Sequence, residues 1–362
     1  MPVVAIDILT KLVSDIFQVN GVPSDAAQTV AAHLVDADAC GVSSHGIIRV
    51  PQYVQALEQK RVIPDARLSV IREGLATAVL DGGHGFGQVM TRAAMDVAIK
   101  LAATAGVGAV TLVNCGHTGR LGSYTEQATR AGMAGLMMSN TGGHGQWVAP
   151  FGGLAGRLAT NPFSIAVPTK TGEPLTFDFA TSIAPEGRVR SLLTAGEKLP
   201  AGWVIDHQGR PSTNPADLYG PPRGALLPFG GHKGFGLSML IDALAGGLSG
   251  AGCCTSADRP LDGKTDGVFL LAVNVAAFCP LAEFQSLVTQ LITHVRSCPS
   301  ADPAVVVVIP GEMESTARLD RTKHGIPVHQ ATWDLISQAA ARSGVEIPRY
   351  GTASVHTLNE RS

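Results

Sequence analysis

Gly83-His84-Gly85-Phe86-Gly87 follows an apolar run at 76–80 and leads into a helical pattern at 89–103, and the reading of this glycine cluster decides the fold. A dinucleotide-binding turn of the Rossmann type has the spacing G-x-G-x-x-G, in which the glycines allow a tight turn and a close approach to pyrophosphate. An acidic residue about twenty positions further on then meets the ribose. Here the spacing is G-x-G-x-G, and no Asp or Glu closes a strand at that distance. The cluster therefore reads as a glycine-rich turn in an α/β chain that must hold its ligand by other means.

Working outward, strand and helix patterns alternate. After the helix at 89–103 come an apolar strand at 107–113, a helix at 124–130 and strands at 133–139 and 174–179. A helix follows at 236–248, with Leu237, Leu240, Ile241 and Leu244 on one side, and then an apolar run at 268–275. Residues 1–75 read as helical: Pro23-Ser24 can start a helix whose Ala27, Val30, Ala31 and Leu34 share a face, and Pro51 interrupts the segment after Arg49. Beyond 280 the spacing of Phe284, Leu287, Val288, Leu291 and Ile292 gives a helix. The β-branched run at 305–309 gives a strand, a last helix lies around 333–341, and the tail after Ile347 is peripheral. Stretches 199–224 and 250–265, rich in Gly, Pro, Asp and Ser, read as long loops.

With 362 residues, 45% of them hydrophobic and 15% charged, the chain can bury a large core, and its length suggests two domains. A net charge of -2 supplies no basic field, so neither nucleic acid nor an anionic membrane is indicated and small metabolites are the expected partners. The six cysteines show no C-x-x-C pair and read as reduced thiols. No leader pattern opens the sequence, and the apolar stretch at 237–248 is too short to span a bilayer, so a cytoplasmic protein is expected.

Six polar groupings can carry chemistry. Ser44-His45-Gly46 is followed by Arg49: His45 can cycle between acid and base near neutral pH, Ser44 can hold the imidazole or a substrate oxygen, and Arg49 can clamp a carboxylate through two parallel hydrogen bonds. The same residues would serve equally as a capping serine beside an exposed histidine and arginine, and spacing does not decide between the two. Asn114-Cys115-Gly116-His117-Thr118-Gly119 leaves an apolar strand and opens a helix, a place where backbone N–H groups and the helix dipole favour an anion such as pyrophosphate. Thr160-Asn161-Pro162, the 178–182 segment, Gly230-Gly231-His232-Lys233-Gly234 and Pro310-Gly311-Glu312 end further apolar runs and are either ordinary turns or parts of one cleft in which Lys233 reaches a phosphate. The histidines include no metal-ligand spacing such as H-E-x-x-H, so no metal site is expected.

In this order, GVSSHGIIRV (41–50), NCGHTGRLGSY (114–124), ATNPFSIAVP (159–168), FDFATS (177–182), PAGWVIDHQGRP (200–211), LLPFGGHKGFGL (226–237) and VVIPGE (307–312) resemble the malate/L-lactate dehydrogenase family that is unrelated to the Rossmann-type enzymes. The likeness runs from about residue 20 to about 345. That family includes ureidoglycolate dehydrogenase, diketogulonate reductase, sulfolactate dehydrogenase and the piperideine/pyrroline-2-carboxylate reductases. The resemblance implies an α/β fold in which a non-Rossmann mixed sheet binds NAD or NADP, joined to a helical domain made from both chain ends, in a homodimer. Residues 1–75 would then form the N-terminal part of the substrate and dimer domain, 76–280 the cofactor domain, and 281–362 the return to the helical domain, with the strand and turn at 305–312 reaching the cofactor.

Carried over by position, the resemblance makes His45 the proton donor with Ser44 beside it and His117 in the catalytic pocket, and Arg49, Thr160 and Arg188 contacts to the substrate. Thr118, Gly119, Arg120, Leu121 and Gly122 would touch the cofactor. So would Ser139, Asp178, Phe179, Ala180, His232, Lys233, Gly311 and Glu312. Imine-reducing members resemble one another in an acidic residue shortly after the FDFATS-like segment, where Pro185-Glu186-Gly187-Arg188 puts a basic residue here. Interconversion of a small 2-oxo acid and its 2-hydroxy acid is therefore the expected reaction, with cyclic-imine reduction as the rival, restored if Glu186 takes the acidic place. A non-catalytic cofactor-binding homologue is a further alternative.

Overall fold

A computed structural model describes residues 1–255, 265–302, 305–349 and 351–352. The chain begins with β1 (Pro2–Val4), α1 (Ile6–Val19), α2 (Ser24–Ala39), two single 3-10 turns at Ser43–His45 and Ile47–Arg49, and α3 (Val50–Glu58). Then come β2 (Ser69–Glu73), β3 (Thr77–Gly85), α4 (Gly87–Ala105), β4 (Val107–Cys115), α5 (Gly122–Arg130), β5 (Met133–Asn140), β6 (Pro162–Val167) and β7 (Leu175–Ala180). After α6 (Glu186–Ala195) and the short strands β8 (Val204–Ile205), β9 (Pro211–Ser212) and β10 (Ala225–Leu226), α7 (His232–Ile241) continues into a π-helical turn, Asp242–Gly247. The described chain closes with β11 (Asp266–Asn274), α8 (Leu281–Arg296), α9 (Glu312–His324), β12 (Ile326–Pro327), α10 (Gln330–Arg342) and β13 (Gly351–Thr352).

Seven strands form one mixed sheet in the order β2-β3-β4-β11-β5-β6-β7. Only β3 and β4 are parallel; the other neighbouring pairs run antiparallel. A single parallel crossover cannot build a doubly wound dinucleotide fold, which needs consecutive parallel strands with helices on both faces. The crossover is α4, which buries Met90, Ala94, Met95, Ala98 and Ala102 against the sheet. It packs so closely that a Cβ on Gly108 of β4 would fall 2.1 Å from the Ala98 carbonyl oxygen. The glycine cluster at 83–87 is the predicted turn: β3 bulges between Asp81 and Gly85, where Gly83 and His84 both take positive φ.

A second core joins the chain ends. Phe17, Leu34 and Tyr53 from the first three helices, with Ile47 from the turn before α3, pack with Trp333, Ile336 and Ala340 of α10, and β1 pairs with both β12 and β13. The tail after Ile347 is thus not merely peripheral, since Gly351–Thr352 adds a strand to this small sheet.

Several expectations are corrected. The sheet begins with β2, inside the stretch expected to be helical. Pro51 interrupts nothing: it lies in the first turn of α3, where its missing N–H has no helical partner to lose. Residues 305–309 join no sheet of the described residues, and Val305, Val306 and Val308 face solvent. The 199–224 loop contains β8 and β9, which form a small sheet with β10 just beyond its end. Of the predicted 250–265 loop, residues 256–264 lie outside the described residues. Along α7 the leucine stripe is not the buried side: Leu240 is exposed, and Gly234, Ser238, Ile241, Asp242 and Ala245 face inward. Small residues win there because the helix lies close to backbone; a Cβ on Gly246 would overlap the Asn140 side chain.

Candidate active site

The backbone between α2 and α3 is shaped to present His45. The Asp38 carboxylate, at the end of α2, accepts a 2.7 Å hydrogen bond from the Ile47 N–H, and a Cβ on Gly46 would fall 2.1 Å from the same carboxylate. Burial pushes Asp38 up to about 6. Held by this loop, Ser44 Oγ lies 3.0 Å from His45 Nδ1, and Arg49 Nε donates to the Ser44 carbonyl oxygen at 2.7 Å. Arg49 Nη1 donates to Gln52, and no carboxylate among the described residues pairs with this guanidinium. Burial, and then the nearby Arg49 cation, lower His45 to about 4.

His117 sits between β4 and α5, its ring stacked on that of His45 with centroids 5.5 Å apart and planes 12° from parallel. Its Nδ1 is 2.7 Å from the Tyr53 hydroxyl, which accepts from Gln88 Nε2 at 2.8 Å, and Gln88 Nε2 also donates to the His117 carbonyl at 3.0 Å. Burial, then Arg49, His45 and His33, hold His117 well below the usual histidine range. Tyr53 and Gln88 were not among the residues expected from sequence. A tyrosine four positions after Arg49 and a glutamine in the first turn of a helix carry no pattern that marks them.

The turn from Thr118 to Gly122 is not the expected anion cradle. Three of its N–H groups are already engaged: Thr118 donates to Asp266 Oδ2 at 2.9 Å, Arg120 to His33 Nε2 at 3.1 Å and Gly122 to Asp178 Oδ2 at 2.7 Å. A carboxylate of the protein itself therefore sits at the start of α5, where the dipole would otherwise favour a bound anion. The Arg120 guanidinium, 2% exposed, is paired with Glu126 at 2.5 Å and lies near Asp36, so this side chain is structural. Gly119 and Leu121 are buried in the same turn.

Thr160 and the end of β7 do come together: Thr181 donates from both N–H and hydroxyl to the Thr160 carbonyl, and a Cβ on Gly234 would lie 3.0 Å from the Thr181 carbonyl, which places the start of α7 alongside. Phe179 lies in a ring cluster with Phe163, Phe177 and Phe229, with Ala180 next to it. Gly230 and Gly231 both have positive φ and aim the chain into α7, whose first residues, His232 and Lys233, are exposed. Ser139 is buried, its hydroxyl turned to the carbonyls of Asn140 and Gly267. Glu312 accepts from the Ile309 N–H and pairs with Arg296, beside Gly311, which rests on Thr176. Both Ser139 and Glu312 are thus occupied by the fold.

Arg188 does not fill the place expected of it. It is exposed on α6, and the residue facing the site is Gly187, where a Cβ would lie 3.6 Å from Arg49 Nη2 and 4.0 Å from Ser44 Cβ. Glu186 is engaged elsewhere, bonded to Arg190 and to the Tyr219 hydroxyl at 2.8 Å. Among the described residues no three His, Cys, Asp or Glu side chains gather as metal ligands would. A polar cavity of about 250 Å³ lined by Asn114, Gly142, His144 and Ala251 includes none of these proton-handling groups.

The family model described as malate/L-lactate dehydrogenase matches residues 4–337. The chain is similar to a malate dehydrogenase of Pyrococcus abyssi, 35% identical over 94% of this chain and 92% of the relative. Among solved structures it is similar to malate dehydrogenase from Pyrococcus horikoshii OT3, with TM-score 0.85, 33% identity and coverage of 95% and 96% of the two chains. It is also similar to delta1-piperideine-2-carboxylate reductase from Pseudomonas syringae pvar. tomato, with TM-score 0.79, 30% identity and coverage of 94% and 100%. A mixed sheet without a Rossmann turn, carrying an imidazole pair and an arginine with no carboxylate partner among the described residues, fits the class that the family model gives: an oxidoreductase of the hydroxy-acid dehydrogenase kind. Within that class the chain belongs to the malate/L-lactate dehydrogenase family.

Proposed function

We propose that this protein interconverts a small 2-oxo acid and its 2-hydroxy acid, with NAD or NADP as the hydride partner and His45 moving the proton. The observation that carries this reading is Arg49, a guanidinium with no carboxylate partner among the described residues, placed beside two stacked imidazoles that burial keeps neutral. A buried-edge cation without an anion is a site for a substrate carboxylate, and the imidazoles stand where the neighbouring hydroxyl or carbonyl would lie. In the oxidative direction neutral His45 takes the hydroxyl proton. In the reductive direction its imidazolium returns it. Ser44, bonded to Nδ1, fixes the orientation of the ring.

A bound nicotinamide dinucleotide would supply or accept the hydride. The left-handed Gly230-Gly231 pair leading to exposed His232 and Lys233 at the start of α7 suits its phosphates, as the engaged 118–122 turn does not. A homodimer is the favoured assembly, since Phe278, Leu287 and Leu291 expose apolar area along and beside α8. The free cysteines of the described residues fit a cytoplasmic setting, which is part of the proposal.

Cyclic-imine reduction is the second reading, favoured by the likeness to the piperideine-carboxylate reductase. Gly187 weighs against it, because no acid among the described residues stands at Ser44 and His45 to raise the basicity of the imidazole. The test is oxidation of NADH and NADPH with oxaloacetate, pyruvate and a cyclic imine acid in parallel. Turnover of the 2-oxo acids is expected, and turnover of the imine alone overturns the proposal. His45→Ala should lower turnover by about 10²-fold or more while cofactor binding persists.

A further inference from the structure

The protons around His117 can be assigned one at a time. The His117 carbonyl can only accept, so the Gln88 side chain must turn its NH2 towards it; the reverse orientation would set two carbonyl oxygens 3.0 Å apart. The second hydrogen of that NH2 goes to the Tyr53 oxygen at 2.8 Å. Having accepted there, Tyr53 has one hydrogen to give, and the remaining neighbour is His117 Nδ1 at 2.7 Å. Nδ1 must therefore present its lone pair, and the ring proton of His117 is on Nε2. No hydrogen bond joins Nε2 to any described residue. Gln88 is 1% exposed and Tyr53 5%, so water does not compete for these bonds.

We propose that Tyr53 and Gln88 are positioning residues that lock His117 as a neutral imidazole with its proton on Nε2, so that it donates a hydrogen bond to the substrate oxygen and leaves proton transfer to His45. This rests on the hydroxy-acid reading of the site for its substrate, though not for the tautomer. The division of labour follows from the contacts. His45 is bonded through Nδ1 only to a serine hydroxyl, which can donate or accept, so it is free to change protonation state. His117 meets an obligate donor and cannot gain a proton on Nδ1 without breaking the Tyr53–Gln88 chain. The charged and titratable groups around it act in the same sense: Arg49 from the start of α3, His45 from the loop before it and His33 from α2 all oppose a positive charge on this ring. A neutral imidazole is a weaker acid than an imidazolium, but it can polarise a carbonyl at every pH at which the enzyme works.

The decisive measurement is the nitrogen-15 shift pattern of the His117 imidazole in protein labelled at histidine, recorded from pH 5 to pH 8 without substrate or cofactor and assigned by the loss of its signals in His117→Gln. An Nε2–H pattern that does not titrate is expected. An Nδ1–H tautomer, or an imidazolium near neutral pH, overturns the proposal. In Tyr53→Phe the Nδ1 donor is gone, so the second tautomer should appear. In Gln88→Glu an ionised carboxylate accepts from the Tyr53 hydroxyl, reverses the chain, and should move the ring proton to Nδ1. A pattern unchanged in both variants also overturns it. For the kinetic counterpart, Tyr53→Phe should lower kcat roughly tenfold with little change in KM, since the carboxylate clamp is untouched. The spectra need no turnover, so inactivity of the native enzyme on every 2-oxo acid would sink the functional reading and leave the tautomer result standing.

Discussion

Arg49 does two opposed things to His45. Its charge helps burial to hold the imidazole near 4, which suits a base in the oxidative direction and leaves almost no imidazolium for reduction at neutral pH. A substrate carboxylate seated on Arg49 cancels that charge, so binding itself should raise His45 towards a value useful for proton donation. Gly187 makes this testable. It stands next to Arg49 and Ser44, its Cβ neighbours at 3.6 and 4.0 Å are ordinary contacts, and its backbone lies in a helix that any side chain can join. Gly187→Asp should place a carboxylate where the substrate's would act. The KM for a 2-oxo acid is then expected to rise more than about tenfold, and the acid limb of kcat/KM for hydroxy-acid oxidation to move up from near pH 4 towards the ordinary histidine range. Gly187→Ala is the control for bulk alone. An unchanged KM in the aspartate variant would remove Arg49 as the carboxylate clamp.

At the scale of elements, the helices that frame the site are tied by buried charge. Arg120, in the turn before α5, pairs with Glu126 of α5, and Arg318 of α9 reaches both Glu126 and Asp36 of α2. Burial works against the charge on Glu126, but the Arg120 and Arg318 guanidiniums hold its carboxyl below the usual range. Glu126→Gln removes the more buried of the two carboxylates that these guanidiniums share and leaves Arg120 only Asp36, at 3.7 Å; breaking a buried pair from one side costs about 3–5 kcal/mol. The urea midpoint should drop accordingly, whereas a loss below about 1 kcal/mol would show that solvent reaches the pair. This network explains why elements were more legible in the sequence than their roles. The alternation of α4, β4, α5 and β5 is written in local periodicity, and the missing acid after Gly87 correctly excluded a Rossmann turn. That Asp178 would occupy the start of α5, so that a glycine-rich turn with every outward sign of an anion site binds its own chain, depends on a contact across 56 residues. Tyr53 and Gln88 were invisible for the same reason. The strand expected at 305–309 failed because β-branched residues favour extended backbone but do not supply a partner.

Over the whole molecule, two sets of buried groups pull stability in opposite directions with pH. His33 and His45 are lowered to about 3 and about 4 by burial, and His117 lies well below its usual value. Between about pH 4 and 6.5 the unfolded chain therefore binds protons at these three positions that the folded chain refuses, and acidification destabilises. Burial raises Asp38 and Asp178 to about 6 and Asp266 to about 7. In the same window the folded chain holds protons at these three that the unfolded chain, with carboxyls near 3.9, has lost, so acidification stabilises. The two sets oppose each other around pH 5, and Glu126 and Glu312, held below the usual carboxylate range, join the first set at its acid end. The native protein should therefore lose stability only gradually from pH 5.5 to 4.5. Asp266→Asn removes one member of the second set and should steepen that loss by about 1.4 kcal/mol per pH unit. His33→Gln removes one member of the first set and should tilt the curve the other way by the same amount. Urea titrations of the three proteins at half-unit intervals decide it, and parallel curves for all three would show that these buried groups keep their ordinary ionisation in the folded chain.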